Sequence, residues 1–353
     1  MSDHTYSATT IDGMLKNWGD RLYYRSRRGR KAKPRVASRP AYRASTPKAP
    51  RRNPRAELKS LARRAPQVMV KITGGGTGLS RIDPHLSYIS RNGLLELEDQ
   101  DGNRVTRKET LRAWSQGDWP VPAESRYREA FNVMLSMPHG TDRASLEDAA
   151  RAFAQETFPK NPYVFAIHDE HNRPHAHIVV KARDIEGRRL NPRKADLQMW
   201  RERFAEKLNE RGIEAAASPR SARGITVKRD KQAVHQINKG FEEGKRPQKA
   251  WQALKEDVSA KKELAGAVHV NPRSTAIVER RQEVLDSYRS LSEALARSES
   301  PSDRDLGAEL VDFAAALPPI VTRHERRVAE LSAQRSAIAR GHDAHEAQRG
   351  HER

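Results

Sequence analysis

The chain has no cysteine, which excludes disulfide cross-links and thiolate metal sites, so any metal must be held by His, Asp or Glu. It also lacks an apolar run near the roughly 20 residues that span a bilayer, and its N-terminus has no hydrophobic signal core. No membrane insertion is expected, and the cytoplasm is the default location. Apolar residues are scarce. They make up 36% of the 353 residues against 32% charged ones, too few for a packed core along the full length. Part of the chain is therefore expected to be disordered or loosely helical. The glycine-rich "GGGTG" (74–78) lacks the Lys-Ser/Thr of a phosphate-binding loop, which excludes nucleoside triphosphate binding and a motor of its own.

Basic charge is abundant and unevenly placed. The net charge is +20, and residues 1–66 carry 18 Lys+Arg against 4 Asp+Glu. Residues 67–226 carry 25 against 22, and residues 227–353 carry 23 against 20. No amphipathic apolar face accompanies the basic segment, so the partner it implies is a polyanion, nucleic acid before membrane. Its Arg, Pro, Ser and Ala cannot offset chain entropy by burial, and 1–66 reads as a disordered basic arm.

Order is expected from about residue 67. "QVMVKITGGGTG" (67–78) reads as a strand and a glycine turn. Asp83-Pro84 marks a helix start with Pro at the first helical position, and Asn92-Gly93 marks its end. Strands follow in "LLELED" and "YREAFNVMLSMPHGTD" (127–142), and an amphipathic helix in "SLEDAARAFAQETF" (145–158). "YVFAIHDEHNRPHAHIVVKA" (163–182) forms a hairpin turning at Asn172-Arg173-Pro174, and residues 195–213 form a helix closed by Gly212. The pattern predicts an α+β fold on an antiparallel sheet with helices on one face, over 67–226. Residues 227–353 read as a charged helical region, broken at Pro272, Pro301 and Pro318-Pro319, with solvent-exposed helices at 274–298 and 322–339.

The hairpin concentrates the chemistry. "HDEHNRPHAHIVVKA" (168–182) holds four of the 13 histidines. Side chains alternate along a strand, so His175 and His177 share a face, and His168 can meet them from the neighbouring strand. Three imidazoles over one point bind a divalent ion and leave coordination positions open. From ligand type alone that ion is zinc, copper or iron. His171 falls in the turn, and Asp169 and Glu170 are candidates to orient a ligand or accept a proton.

These residues resemble a known family. His175-Ala176-His177, with a histidine seven positions earlier, is similar to the His-hydrophobe-His signature of the HUH endonucleases (ferredoxin-like or RRM-like folds). More closely the chain resembles relaxases of the mobilization-protein and T-DNA border-endonuclease type. "KITGGGTGLSRIDPHLSYISRNGLLELED" is similar to their tyrosine motif, "VMLSMPHGTD" to their second motif, "HDEHNRPHAHIVV" to their third, and "SPRSARG" (218–224) to an arginine-bearing segment. The likeness covers about 67–226. It departs in placing Glu170 where the family commonly has Asp two places after the first histidine, and in having some 66 residues before the tyrosine motif.

The resemblance implies that Tyr88 attacks a scissile phosphate of single-stranded DNA, leaving a 5′-phosphotyrosine link and a free 3′-hydroxyl. A phenolate is both nucleophile and leaving group, so the link conserves the phosphodiester energy for rejoining. Its reference pKa of about 10 requires a base or cation nearby, for which Glu170 and Asp169 are the candidates. The resemblance also implies His168, His175 and His177 as ligands of Mg²⁺ or Mn²⁺, ahead of zinc. The implied substrate is an origin of transfer. Relaxosome accessory proteins and a coupling protein are the implied partners, the charged C-terminal region serving partner or transfer-channel recognition. Passage of the protein with the DNA fits the same role. Arg91, Arg188, Arg189, Arg193 and Arg223 are candidate phosphate contacts. Tyr127, Tyr23 and Tyr24 are rival nucleophiles. Two other readings stand beside this one: a rolling-circle replication or transposition nuclease, and a nucleic-acid-binding protein with a degenerate nuclease domain. A tyrosine ahead of the histidines favours a relaxase over the first, and the intact Tyr88 and histidines oppose the second.

Overall fold

A computed structural model describes residues 5–23, 53–170, 172–225, 230–269, 271–272 and 274–351. In chain order the elements are α1 (Ala8–Tyr23), α2 (Pro54–Ala62), β1 (Met69–Gly74), α3 (Leu79–Ile89), β2 (Leu97–Asp99) and β3 (Arg104–Val105). Then come α4 (Arg107–Trp114), β4 (Ala130–Ser136), α5 (Arg143–Thr157), β5 (Tyr163–Asp169), β6 (Pro174–Lys181) and α6 (Lys194–Asn209). Five further helices complete the chain: α7 (Gln232–Glu242), α8 (Trp251–Leu264), α9 (Ser274–Ala296), α10 (Pro301–Ala315) and α11 (Arg323–His351). They fall into two compact units, residues 25–218 and residues 1–24 with 219–353.

The first unit is an α+β layer structure on one antiparallel sheet of order β1-β4-β6-β5-β2-β3, with the β5–β6 hairpin at its centre. Strand alternation divides its side chains between two cores. Phe131, Val133, Leu135, Phe165, Ile167, Ala176, Ile178 and Val180 pack with Phe153, Trp200 and Phe204 of α5 and α6. On the opposite face Ala130, Val164, Ala166 and Val179 meet Ile82, Leu86 and Ile89 of α3 and Trp114 of α4. Helices therefore cover both faces rather than the one expected. The helices of the second cover, α3 and α4, are short, and they leave Tyr88 half-exposed while His168 and His177 of the sheet are buried.

Helix α3 begins earlier than its Asp83-Pro84 signal suggests. The backbone N–H groups of Leu79 and Ser80 donate to the carbonyls of Pro122 and Ala123, so a neighbouring loop caps the helix and Pro84 sits inside it. Gly78, at φ +122°, leaves no room for a side chain against Ala123 and Glu124. Tertiary contacts here override the local signal.

The second unit corrects two expectations. Within the segment read as a disordered arm, α1 is helical and buries Ile11 and Leu15; α2, in the first unit, buries Leu58 and Leu61. Residues 24–52 of that arm, with Tyr24, lie outside the described residues. Helix α9, expected to be solvent-exposed, buries Val284, Tyr288, Leu291 and Leu295 and packs against α1 and α10, its Tyr288 ring edge-on to Phe313. A stripe at positions i, i+4, i+7 and i+11 makes that face. Among the described residues, no helix is long and apolar enough to cross a membrane.

Candidate active site

The hairpin register places the three histidines where the alternation argument put them. His168 lies opposite His175 across the β5–β6 ladder, and Ala166 opposite His177. The ring centres are 4.7 Å (168–177), 4.9 Å (175–177) and 5.5 Å (168–175) apart, and one ligand nitrogen from each lies within 4.8 Å of the others. His168 and His177 are buried.

Hydrogen bonding fixes which nitrogens are bare. His168 Nε2 is 2.8 Å from the Ile89 carbonyl, which can only accept, so Nε2 carries the proton and Nδ1 presents a lone pair. His175 Nδ1 donates in the same way to the Arg173 carbonyl at 3.0 Å, freeing Nε2. The buried His168 Nδ1 and His177 Nε2 have no partner. Burial pushes His168 below the usual imidazole range, and it drives His177 down to about 3 with the neighbouring cationic charge adding to the effect. Imidazole nitrogens gathered within 4.8 Å, two of the rings anchored to carbonyls through their far nitrogens, are what a divalent ion requires, and the residues fit such an ion.

Tyr88 reaches this site from α3. Its ring centre is 5.6 Å from His177 and 5.8 Å from His168, both edge-on, and the residue is 51% exposed. The Ile89 carbonyl bond to His168 ties the C-terminal end of the tyrosine helix to a candidate metal ligand. Beyond it Arg91 and Asn92 adopt left-handed backbone angles (φ +53° and +58°), unusual for arginine and of the kind found at functional turns.

One neighbour was not read from the sequence. His85, one turn before Tyr88, stacks on the Tyr88 ring at 6.0 Å and lies edge-on to His177 at 6.2 Å. Its Nε2 is buried without a partner, and burial lowers its pKa. The i, i+3 spacing to Tyr88 in "HLSY" was the available signal.

The remaining candidates scatter. Glu170 pairs with Arg91 at 2.5 Å, and the Arg91 guanidinium holds its carboxyl below the usual range. Asp169 follows His168 on the strand and so faces the opposite side. His171 lies outside the described residues. Arg188 pairs with Asp184 (3.1 Å) and with Glu186. Arg189 pairs with Glu129 at 3.2 Å and lies over the Tyr127 ring, leaving both arginines beyond the far end of β6 from the histidines. Arg193 is exposed at the start of α6. Arg223 belongs to the second unit. Tyr127, the rival nucleophile, is exposed between the Arg126 and Arg189 guanidiniums, with none of the three histidines in ring contact.

The buried neutral imidazoles make the fold acid-sensitive. In the unfolded chain His177 takes a proton near pH 6.5, but in the folded protein only near 3. Its contribution is full above pH 6.5 and is lost as the pH falls toward 3, at about 1.4 kcal/mol per unit at most. Urea denaturation at pH 7.5 and pH 5.0 should show this decline, and His177→Gln should flatten it. An equally steep decline in the variant would remove His177 as its source.

An antiparallel sheet with a His-x-His strand under a tyrosine-bearing helix is consistent with the HUH relaxase fold. Residues 99–213 match the family described as relaxase, MobA/VirD2-like, nuclease domain. The chain is 32% identical over 189 residues to the T-DNA border endonuclease VirD2 of Agrobacterium fabrum, covering 45% of this chain and 41% of that protein. It is 32% identical over 188 residues to that of Rhizobium rhizogenes (45% and 42%), and 29% over 198 residues to that of Rhizobium radiobacter (48% and 46%). It thus spans less than half the length of these relatives. No solved structure matches the chain significantly. The chain carries a relaxase-type nuclease domain. The family match contains all three histidines but begins after Tyr88, whose place rests on the geometry above.

Proposed function

We propose that the chain is a site- and strand-specific DNA relaxase that nicks single-stranded DNA at an origin of transfer and holds the cut strand on Tyr88. The observation that carries this reading is the Tyr88 ring, exposed and less than 6 Å from two histidines whose bare nitrogens face one point. His168 Nδ1, His175 Nε2 and His177 Nε2 would hold a Mg²⁺ or Mn²⁺ ion, which supplies charge stabilisation at a non-bridging phosphate oxygen.

Tyr88 Oη forms the new bond to phosphorus while the bond to the 3′-oxygen breaks, giving a 5′-phosphotyrosine and a 3′-hydroxyl. The phenolic proton goes to a base, and the 3′-oxygen takes one up. His85, neutral and stacked on the Tyr88 ring, suits the first task better than Glu170, whose carboxylate is weakened as a base by Arg91. Asp169 faces away. Arg91 is the cation nearest this end of α3 and serves as a phosphate contact when it exchanges Glu170 for DNA. Accessory and coupling proteins, and delivery of the protein with its DNA, belong to the same reading, with the second unit as their docking region.

Incubation with Mn²⁺ and single-stranded oligonucleotides from the DNA flanking its own gene tests the reading. A band shift that survives denaturant and needs the ion is expected. Ion-dependent cleavage without an adduct would mean a hydrolytic nuclease instead. The basic segment adds a second expectation. Residues 24–52 contain 12 Lys+Arg and no acid. Replacing those 12 with Ser or Gln should weaken DNA binding at low salt and shrink the slope of log K against log salt. An unchanged slope would exclude phosphate contacts from this segment.

A further inference from the structure

We propose a second divalent-metal site, of zinc type, at Glu263, His269 and His324 in the C-terminal unit, clipping α8 and the loop after it to the start of α11. One ligand atom from each residue lies within 4.8 Å of the others. Glu263 closes α8, His269 follows on an exposed loop, and His324 is the second residue of α11. His324 Nε2 is 2.5 Å from the Glu263 carboxylate, and His269 Nδ1 is 3.3 Å from Ser259 Oγ, which leaves His269 Nε2 available.

Three features favour a metal over a simple ion pair. The two imidazoles stack at 3.6 Å between ring centres beside the Glu263 carboxylate, so two ring nitrogens and an acidic oxygen are gathered at one place. Two imidazoles and one carboxylate form an open zinc ligand set, in a chain without thiolates. A metal would also reinforce the contact of the helices it joins. Ala260 of α8 and Leu331 of α11 are buried, and the ion pairs between the helices include Arg327 on Asp257 and Arg323 on Glu256. Such pairs contribute little in solvent, whereas a metal bound only by the folded form stabilises it by mass action. Coordination at Zn–N distances near 2.0 Å needs ligand atoms about 3.3 Å apart. His269 must therefore leave the stack, and the 2.5 Å contact of His324 Nε2 with Glu263 must open to that distance.

The test uses the full chain with His175→Ala and His177→Ala, so that the nuclease histidines do not bind. Titrated with Zn²⁺ against a chromophoric chelator, and with Co²⁺ by its visible spectrum, this protein should take up one equivalent in a four- or five-coordinate site. Adding His269→Ala and His324→Ala should remove that equivalent, and Glu263→Gln alone should weaken it at least tenfold with unchanged far-ultraviolet circular dichroism. Binding of the same equivalent after His269 and His324 are replaced would overturn the proposal. So would an affinity no tighter than millimolar, or indifference to Glu263→Gln.

Discussion

Replacing both His175 and His177 with Ala should cut ion-dependent nicking by on the order of a thousandfold or more and remove one bound Mn²⁺ per chain. The expected loss is large because the two residues supply two of the three bare nitrogens, and His168 alone leaves too few ligands for a divalent ion. The fold should survive. Both lie on the central hairpin, but its apolar face, through Ala176, Ile178 and Val180, is untouched. Removing the buried His177 ring, whose Nε2 has no partner, also relieves a desolvation cost, while leaving a small cavity. Calorimetric Mn²⁺ titration and a nicking assay check the two halves separately. Retained Mn²⁺ binding at this site with lost nicking would mean that the histidines serve the DNA and not the metal.

Tyr88→Phe should abolish the covalent adduct and lower strand cleavage by at least about a thousandfold, the scale seen when a nucleophile is removed. Phenylalanine keeps the ring and its edge-on contacts to His168 and His177 and removes only the attacking oxygen. Single-stranded DNA and metal affinity should therefore stay within about twofold of the parent. Weakened binding in step with cleavage would mark the Tyr88 hydroxyl as a DNA contact and not the nucleophile. His85→Ala offers a graded companion. If His85 takes the phenolic proton, nicking should fall by roughly a hundredfold, the usual worth of a general base, with the adduct still forming slowly. No effect on the rate would return the role to Glu170 or to water.

How much of this was legible in the sequence depended on whether the information was local. Strand alternation in "HDEHNRPHAHIVV" was enough to converge His168, His175 and His177, because a hairpin of this length admits one register that keeps Ala176, Ile178 and Val180 in the core. The tyrosine helix was read correctly as an element, but its start was not. Leu79 and Ser80 are capped by a loop some 40 residues away, which no local signal reports. Helix α4, absent from the expected pattern, does carry a local signal in the Thr106–Glu109 capping box.

The site's electrostatics were the least legible. The Arg91–Glu170 pair joins residues 79 positions apart, and it ties a candidate phosphate contact to a candidate base, changing the reading of both. The tautomers of His168 and His175 depend on the Ile89 and Arg173 carbonyls, one of them also 79 positions away. In the C-terminal unit, heavy charge on the outer faces hid the stripe of Val284, Tyr288, Leu291 and Leu295 from a composition-based reading.

The central claim is that Tyr88 becomes covalently joined to DNA. Its most direct test is mass spectrometry of the trypsin-digested adduct formed with single-stranded DNA and Mn²⁺. The expected result is a nucleotide on the peptide "IDPHLSYISR", residues 82–91, bonded through the tyrosine oxygen. A nucleotide on the peptide carrying Tyr127, or on one from the Tyr23-Tyr24 segment, would contradict it.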